Sequence, residues 1–336
     1  MIDSYYILYS ILLILYILLN VNNINIKEYL NLRIMDIIKT LKKNRPSLSE
    51  SSLKTYNSIL HNLHFGVYDD ERVPKMKDFK DVKKIVDYLK DKPIGSRKTI
   101  LSALFVLTGL NAYRVDMLDD IKEYREETDK QEKTETQAEN WATKEQIIEL
   151  LNKYKLKANR AYKYLHDSTY NKHEIDKPDG VELQHIQDYI ILCLLSGEYI
   201  PPRRAKDYCD FRIKCDSDNC NYLKGNKLYF RSYKGSDKKG LQTIEIPITL
   251  KRILTKWFHV NPTQYLLFDG NENQMTNVKL NQRLNKIFGQ KIAINALRHT
   301  YLTDKHKDTI GKMDSLSDDM KMMGSSILQA KVYIKK

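Results

Sequence analysis

Cysteine is scarce in this chain. There are four among 336 residues, Cys193, Cys209, Cys215 and Cys220, and all fall within one stretch. None forms a Cys-x-x-Cys pair and none has a histidine partner at zinc-finger spacing, which argues against a zinc module even though Cys215 and Cys220 lie close together. Free thiols in a reducing compartment are the expectation. No internal repeat is apparent. Acidic charge is in deficit, with 43 Asp and Glu against 56 Lys and Arg, a net charge of +13 and a pI of about 9.2. Such a balance suits a polyanionic partner, most commonly nucleic acid.

Long hydrophobic runs are lacking too, with one exception. Tyr5 to Leu19 is apolar apart from Ser10. A membrane-spanning helix needs about 20 apolar residues, and a signal peptide needs a basic start and a small-residue cleavage site, whereas this run follows Asp3. Residues 1–34 are rich in Ile, Leu, Asn and Tyr, as translated AT-rich DNA would be. A mis-assigned start, with Met35 opening the ordinary sequence Asp36-Ile-Ile-Lys-Thr-Leu-Lys-Lys, is expected ahead of a membrane anchor, and no membrane partner is expected.

What is present reads as two domains. From Ser49, Leu53, Tyr56, Ile59, Leu60 and Leu63 recur at helical spacing behind a Ser-Glu-Ser-Ser cap. Further helices are expected over Asp81–Lys90, with Ile85, Val86 and Leu89 on one face, from Ser96 on through Ile100, Leu101, Leu104 and Leu107, and over Tyr113–Tyr124. Together they make a small bundle spanning 35–125. Residues 126–140 lose all apolar period and read as a charged, solvated linker. Trp141 restarts the pattern, and 141–336 form a second domain. It is mostly helical, over Leu183–Leu195, Thr249–Phe258 and Asn277–Phe288, with one β-hairpin. The hairpin pairs Lys227–Tyr233 with Leu241–Pro247 around a Lys- and Gly-rich turn, Lys234 to Gly240. A helix-type segment around Arg298 and a second short helix close the chain.

Several residue groups in this second domain could act on a phosphodiester. Arginine grips phosphate bidentately and keeps its proton; lysine in a turn can serve as an acid; tyrosine can serve as a nucleophile. In chain order come Pro201-Pro-Arg-Arg204-Ala-Lys-Asp207, the turn Ser232-Tyr-Lys234-Gly, Asn295-Ala-Leu-Arg298, and Met323-Gly-Ser325-Ser followed by Tyr333.

From about Ser49 onward the chain resembles the tyrosine recombinases, the integrase family, closest in flavour to those of large DNA viruses, virophages and mobile elements. The resemblance implies a mainly α fold with a small β-sheet, in which a helical core-binding domain and an α+β catalytic domain form a C-shaped clamp on double-stranded DNA. It implies cutting and rejoining through a 3′-phosphotyrosyl intermediate, with no metal or organic cofactor, and assembly as a tetramer on DNA. It places the protein wherever viral or mobile-element DNA resides, in cytoplasm, virus factory, nucleus or virion. By the Arg-x-x-Glu/Asp pattern Arg204 is the first phosphate clamp, with Arg203 the runner-up. Lys234 is the general acid, Lys238 and Lys239 being neighbours. Arg298 is the second clamp, and Tyr333, eight residues after Ser325, is the nucleophile. Two positions depart from the family: Asn295 and Ser325 stand where histidines are usual. Either side chain can hydrogen-bond a phosphate oxygen, but neither shuttles a proton as histidine does. His299 falls where the family often carries a structural histidine. A type IB topoisomerase, a DNA-binding relative that no longer cleaves, and a tethered protein remain as alternatives.

Overall fold

The computed structural model describes residues 37–69, 74–170, 180–215, 219–327 and 330, with backbone alone for 166–170. The apolar run at the N-terminus and Tyr333 lie outside the described residues. The chain divides into two compact units that meet between Glu132 and Lys133, inside the charged stretch.

Unit 1 is all helical. After helical residues 37–44 come α1 (Glu50–Tyr68), a 3₁₀ turn (Met76–Lys80), α2 (Val82–Leu89), α3 (Ile94–Thr108) and α4 (Asn111–Asp129). Ser49 caps α1 by accepting from the Ser52 amide at 3.1 Å, and Asp81 caps α2 through the Lys84 amide at 3.2 Å. Each supplies an acceptor to an amide that the helix cannot satisfy itself. The apolar stripes named from the sequence face one core, where Leu53, Leu60, Leu63, Ile85, Leu89, Leu101, Leu104 and Leu107 are buried with Phe79 and Tyr113. Gly109, at φ 72°, ends α3 in the left-handed region where glycine is strain-free. Asp120 of α4 is buried and held by the Arg97 guanidinium of α3.

Unit 2 is built on α7 (Gly180–Leu195), whose residues from Ile186 to Leu195 are all buried. A helix buried all round carries apolar residues on every face. The unit's other helices are α5 (Glu135–Glu139), α6 (Lys144–Tyr170), α8 (Ala205–Cys209), α9 (Ser236–Lys239), α10 (Ile248–Val260), α11 (Asn277–Phe288) and α12 (Ile294–Met322). The strands β1 (Tyr222–Lys224), β2 (Lys227–Phe230) and β3 (Gln242–Glu245) form an antiparallel sheet in the order β1-β2-β3. Buried Asp188 of α7 pairs with Arg283 of α11, and Trp257 donates to the Leu266 carbonyl at 2.9 Å. Among the described residues, no helix is long and apolar enough to cross a membrane.

Four features depart from the sequence reading. The hairpin has a third strand, β1, too short for its alternation to register. The stretch 126–140 is solvent-exposed but not structureless. It continues α4 to Asp129 and then forms α5, whose capping box joins Thr134 and Gln137, so local capping makes helix without any apolar stripe. Cys215 and Cys220 are disulfide-bonded rather than free, with their Cα atoms 6.1 Å apart, within the range that such a bond spans. Cys193 and Cys209 are free and buried, and burial pushes both thiols up to about 12, which leaves them unreactive.

The fourth departure concerns the length of the helix around Arg298. It runs for 29 residues as α12; beyond it Ala330 is again helical, and the rest of the expected second helix lies outside the described residues. Its span holds no proline and one glycine, Gly311, whose cost of about 1 kcal/mol does not break a helix by itself. Gly324, at φ 70°, stops it. The Gly324 amide donates to the Lys321 carbonyl and the Ser325 amide to the Met320 carbonyl, the paired bonds of a Schellman cap.

Candidate active site

The loop that leaves α7 carries the first arginine box. Gly197, at φ 80°, lies so close under the Tyr301 ring of α12 that any β-carbon there would run into it. Glycine therefore lets α12 seat against this loop, and Thr300 adds a hydrogen bond to the Ala142 carbonyl at 2.7 Å. The first turns of α12, with Asn295 and Arg298, are thereby anchored beside the loop that leads to Arg203 and Arg204.

Pro201 and Pro202 keep the chain extended up to Arg204, which is the N-cap of α8 at φ −73°, ψ 155°. This short helix buries Asp207, Tyr208 and Cys209. The Tyr208 hydroxyl donates to the Leu194 carbonyl at 3.0 Å and accepts from the Arg203 amide at 3.2 Å, which ties the box to the end of α7. The two adjacent arginines then diverge. Arg203 is half-buried and ion-paired with Asp207, Nε to Oδ2 at 2.7 Å. Arg204 is exposed and makes no hydrogen bond or ion pair with the described residues.

Asp207 is the electrostatic centre of the group. It is 2% exposed. Burial pushes its carboxyl above the ordinary range, while the positive charges of Arg203, Arg204 and Arg298 all pull it down. Arg298 acts on Tyr208 in the same sense. The arginines of the two boxes, almost a hundred residues apart in sequence, thus converge on α8. Arg298 is half-buried, and its Nη1 donates to Asn295 Oδ1 at 3.3 Å. Asn295 therefore orients an arginine across one helical turn. His299 is exposed and touches none of the described residues by hydrogen bond, ion pair or ring contact.

The lysine turn is bolted to the same helix by a residue that the sequence reading missed. Asn221, fully buried, donates to the Asp207 carbonyl at 2.7 Å and to the Ser232 carbonyl at 2.8 Å. Its Oδ1 accepts from the Arg231 and Ser232 amides, both at 2.8 Å. The Ser232 hydroxyl adds a bond to Asp210 Oδ2 at 2.7 Å. Lys234 follows two residues later, exposed and without a partner among the described residues, as are Lys238 and Lys239 on α9. A lone asparagine carries no sequence signal for such a role. Asn221→Ala should leave one buried and one part-buried carbonyl and two part-buried amides without their partner, costing about 3 kcal/mol, which corresponds to a fall in Tm of roughly 6–12 °C for a unit of this size. Thermal denaturation of parent and variant measures it, and an unchanged Tm would remove the bracket.

Not every expected site residue joins this group. Arg204 is the N-cap of α8, Lys234 follows the turn that Asn221 ties to it, and Arg298, hydrogen-bonded to Asn295, acts electrostatically on Asp207 and Tyr208 of the same helix. Ser325, half-buried, lies beyond the far end of α12, about 36 Å along the helix from Arg298 at 1.5 Å per residue. The continuous helix is what separates them. Tyr333 belongs to the segment outside the described residues. Among the described residues no cluster of three or more His, Cys, Asp or Glu could hold a metal ion.

No family model matches the chain, and no curated protein matches it. Solved structures do. A lambda integrase dimer bound to a COC′ core site is similar at 16% identity and a TM-score of 0.43, over 82% of this chain and 90% of that one. XerA recombinase is similar at 11% identity and a TM-score of 0.31, over 81% and 82%.

Proposed function

We propose that this protein is a DNA strand transferase of the tyrosine-recombinase type. In this reading Arg204 and Arg298 hold the non-bridging oxygens of a scissile phosphate, and Asn295 keeps Arg298 aimed. Tyr333 attacks phosphorus, the bond to the 5′ oxygen breaks, and Lys234 supplies that oxygen with a proton. The 3′-phosphotyrosyl bond then stores the energy for rejoining to another 5′ hydroxyl. No metal or organic cofactor takes part, the substrate is double-stranded DNA, and copies of the chain assemble on it as a tetramer. The observation that carries the reading is the convergence of Arg204 and Arg298 on α8, with the root of the lysine turn bracketed to the same helix by Asn221.

The reading requires the segment beyond α12 to approach these arginines once DNA is bound. Gly311, exposed and with open space where a β-carbon would be, is the position at which α12 bends at least cost.

A second reading, a DNA-binding protein that no longer cleaves, is favoured by Asn295 and Ser325 in place of histidines and by the distance of Ser325 from Arg298. A nicked-duplex trap decides between the two. Duplexes tiled across the DNA flanking the protein's own gene are incubated with the full chain and denatured in SDS. A covalent adduct is expected without added metal. Tight binding without an adduct would establish the second reading. In either case affinity should fall steeply with salt, since each phosphate contact releases a condensed counterion and adds about −0.9 to the slope of log K against log salt.

A further inference from the structure

Arg203 and Arg204 are neighbours in sequence, yet the fold puts them to different uses. Arg204 is exposed and unpaired among the described residues, whereas the Arg203 side chain, 16% exposed, is engaged by its neighbours. Its Nε donates to Asp207 Oδ2 at 2.7 Å and its Nη1 to Gln242 Oε1 at 3.1 Å. The guanidinium carbon lies 4.0 Å from the Phe230 ring centroid and 5.3 Å from that of Tyr233. Phe230 and Gln242 are partners across the last rung of the β2–β3 ladder. Arg203 therefore grips both strands of the hairpin at the point where the lysine turn leaves them, and holds that rung to α8 through Asp207.

We infer that Arg203 is a positioning residue that sets the place of Lys234 relative to the arginine box. The inference rests on the recombinase reading. Lys234 has no partner of its own among the described residues, so its ammonium inherits its position from its neighbours. One of these is Tyr233, which packs under Arg203 and closes the turn by donating to the Gly240 carbonyl at 2.7 Å. A general acid must come within hydrogen-bond reach of the leaving oxygen, and a displacement of about 1 Å is enough to cost on the order of 10²-fold in rate. Lysine at 203 would keep a charge beside Asp207, but it has no planar fork to reach Gln242 and stacks poorly on the rings. Leucine at 242 would remove the acceptor on the hairpin side and leave the Asp207 pair intact.

The role has a chemical signature that a purely structural one lacks. In ordinary DNA the departing 5′ oxygen needs the proton from Lys234. With a 5′-bridging phosphorothiolate, sulfur leaves as a stable thiolate and needs none. Arg203→Lys, Gln242→Leu, Lys234→Ala and Arg204→Ala are compared with the parent protein in single-turnover cleavage of nicked duplexes carrying each linkage. Arg203→Lys and Gln242→Leu are expected to cut the ordinary linkage roughly ten-fold or more slowly and the phosphorothiolate within about three-fold of the parent, as Lys234→Ala does. Arg204→Ala is expected to be slow on both. Equal deficits on the two linkages, or no deficit in Gln242→Leu, would overturn the role of Arg203 while leaving the recombinase reading in place. No adduct from the parent on either linkage would overturn that reading and this inference with it. Should Arg203→Lys fail to fold, as circular dichroism would reveal, Gln242→Leu decides alone.

Discussion

Tyr333→Phe is expected to abolish SDS-resistant attachment to a nicked duplex while leaving DNA affinity nearly unchanged. The substitution keeps the ring and removes one oxygen, the only atom of the side chain that can attack phosphorus. Binding should be insensitive to it, because affinity for duplex DNA comes chiefly from cations that neutralise phosphates, and this chain has 56 of them. The assignment of Tyr333 rests on its spacing from Met323-Gly-Ser325-Ser, and 22 further tyrosines compete for the role. That makes the result sharp. Persistence of the adduct in the phenylalanine variant would transfer the nucleophile to another tyrosine, which peptide mapping of the trapped complex would then locate.

Arg204→Ala and Arg298→Ala should each slow single-turnover cleavage by on the order of 10²-fold or more, the usual result of removing one preorganised donor from a developing charge. The two losses should not multiply in the double variant, since both side chains act on one phosphate and residues that work as a unit are not additive. Binding should change by far less. Each variant removes one charge from a net of +13, and the salt slope should shrink by about one contact. If cleavage and binding instead fell in proportion, the arginines would be general DNA contacts and not a clamp on the reacting phosphate. A further contrast lies in the neighbours. Arg204 is free to meet an anion because Arg203 already neutralises Asp207.

Periodicity alone located most of the helical frame. Leu53, Leu60 and Leu63, then Ile85 and Leu89, then Leu101, Leu104 and Leu107 recur at spacings of three, four or seven residues, and each set is buried in the unit 1 core. The bounds of α11 were legible to the residue, because Thr276 caps it and Gly289 ends it, and caps are written locally. The hairpin was legible for the same reason, two β-type runs around a turn. The candidate site was legible as an order of residue types, arginine, lysine and arginine, with a tyrosine expected after them, and no further.

Partner choice was decided by tertiary structure. Two arginines side by side are equivalent in a sequence; buried Asp207 is paired with Arg203, and Arg204 is left in solvent. Asn221 has no local pattern because its four hydrogen bonds run to residues 10 to 14 positions away, and only the packing of α8 against β2 brings them together. The pairing of Cys215 with Cys220 and the unbroken run of α12 are likewise outcomes of three-dimensional context. In α12 the apolar pattern is too weak to say where a helix should stop, so the cap at Gly324 set its length and carried Ser325 away from Arg298. A sequence records which faces of a helix are apolar, since that is a property of neighbours along the chain. Which charge meets which, and how far one site residue lies from another, depends on contacts between distant segments, and those exist only once the chain has folded.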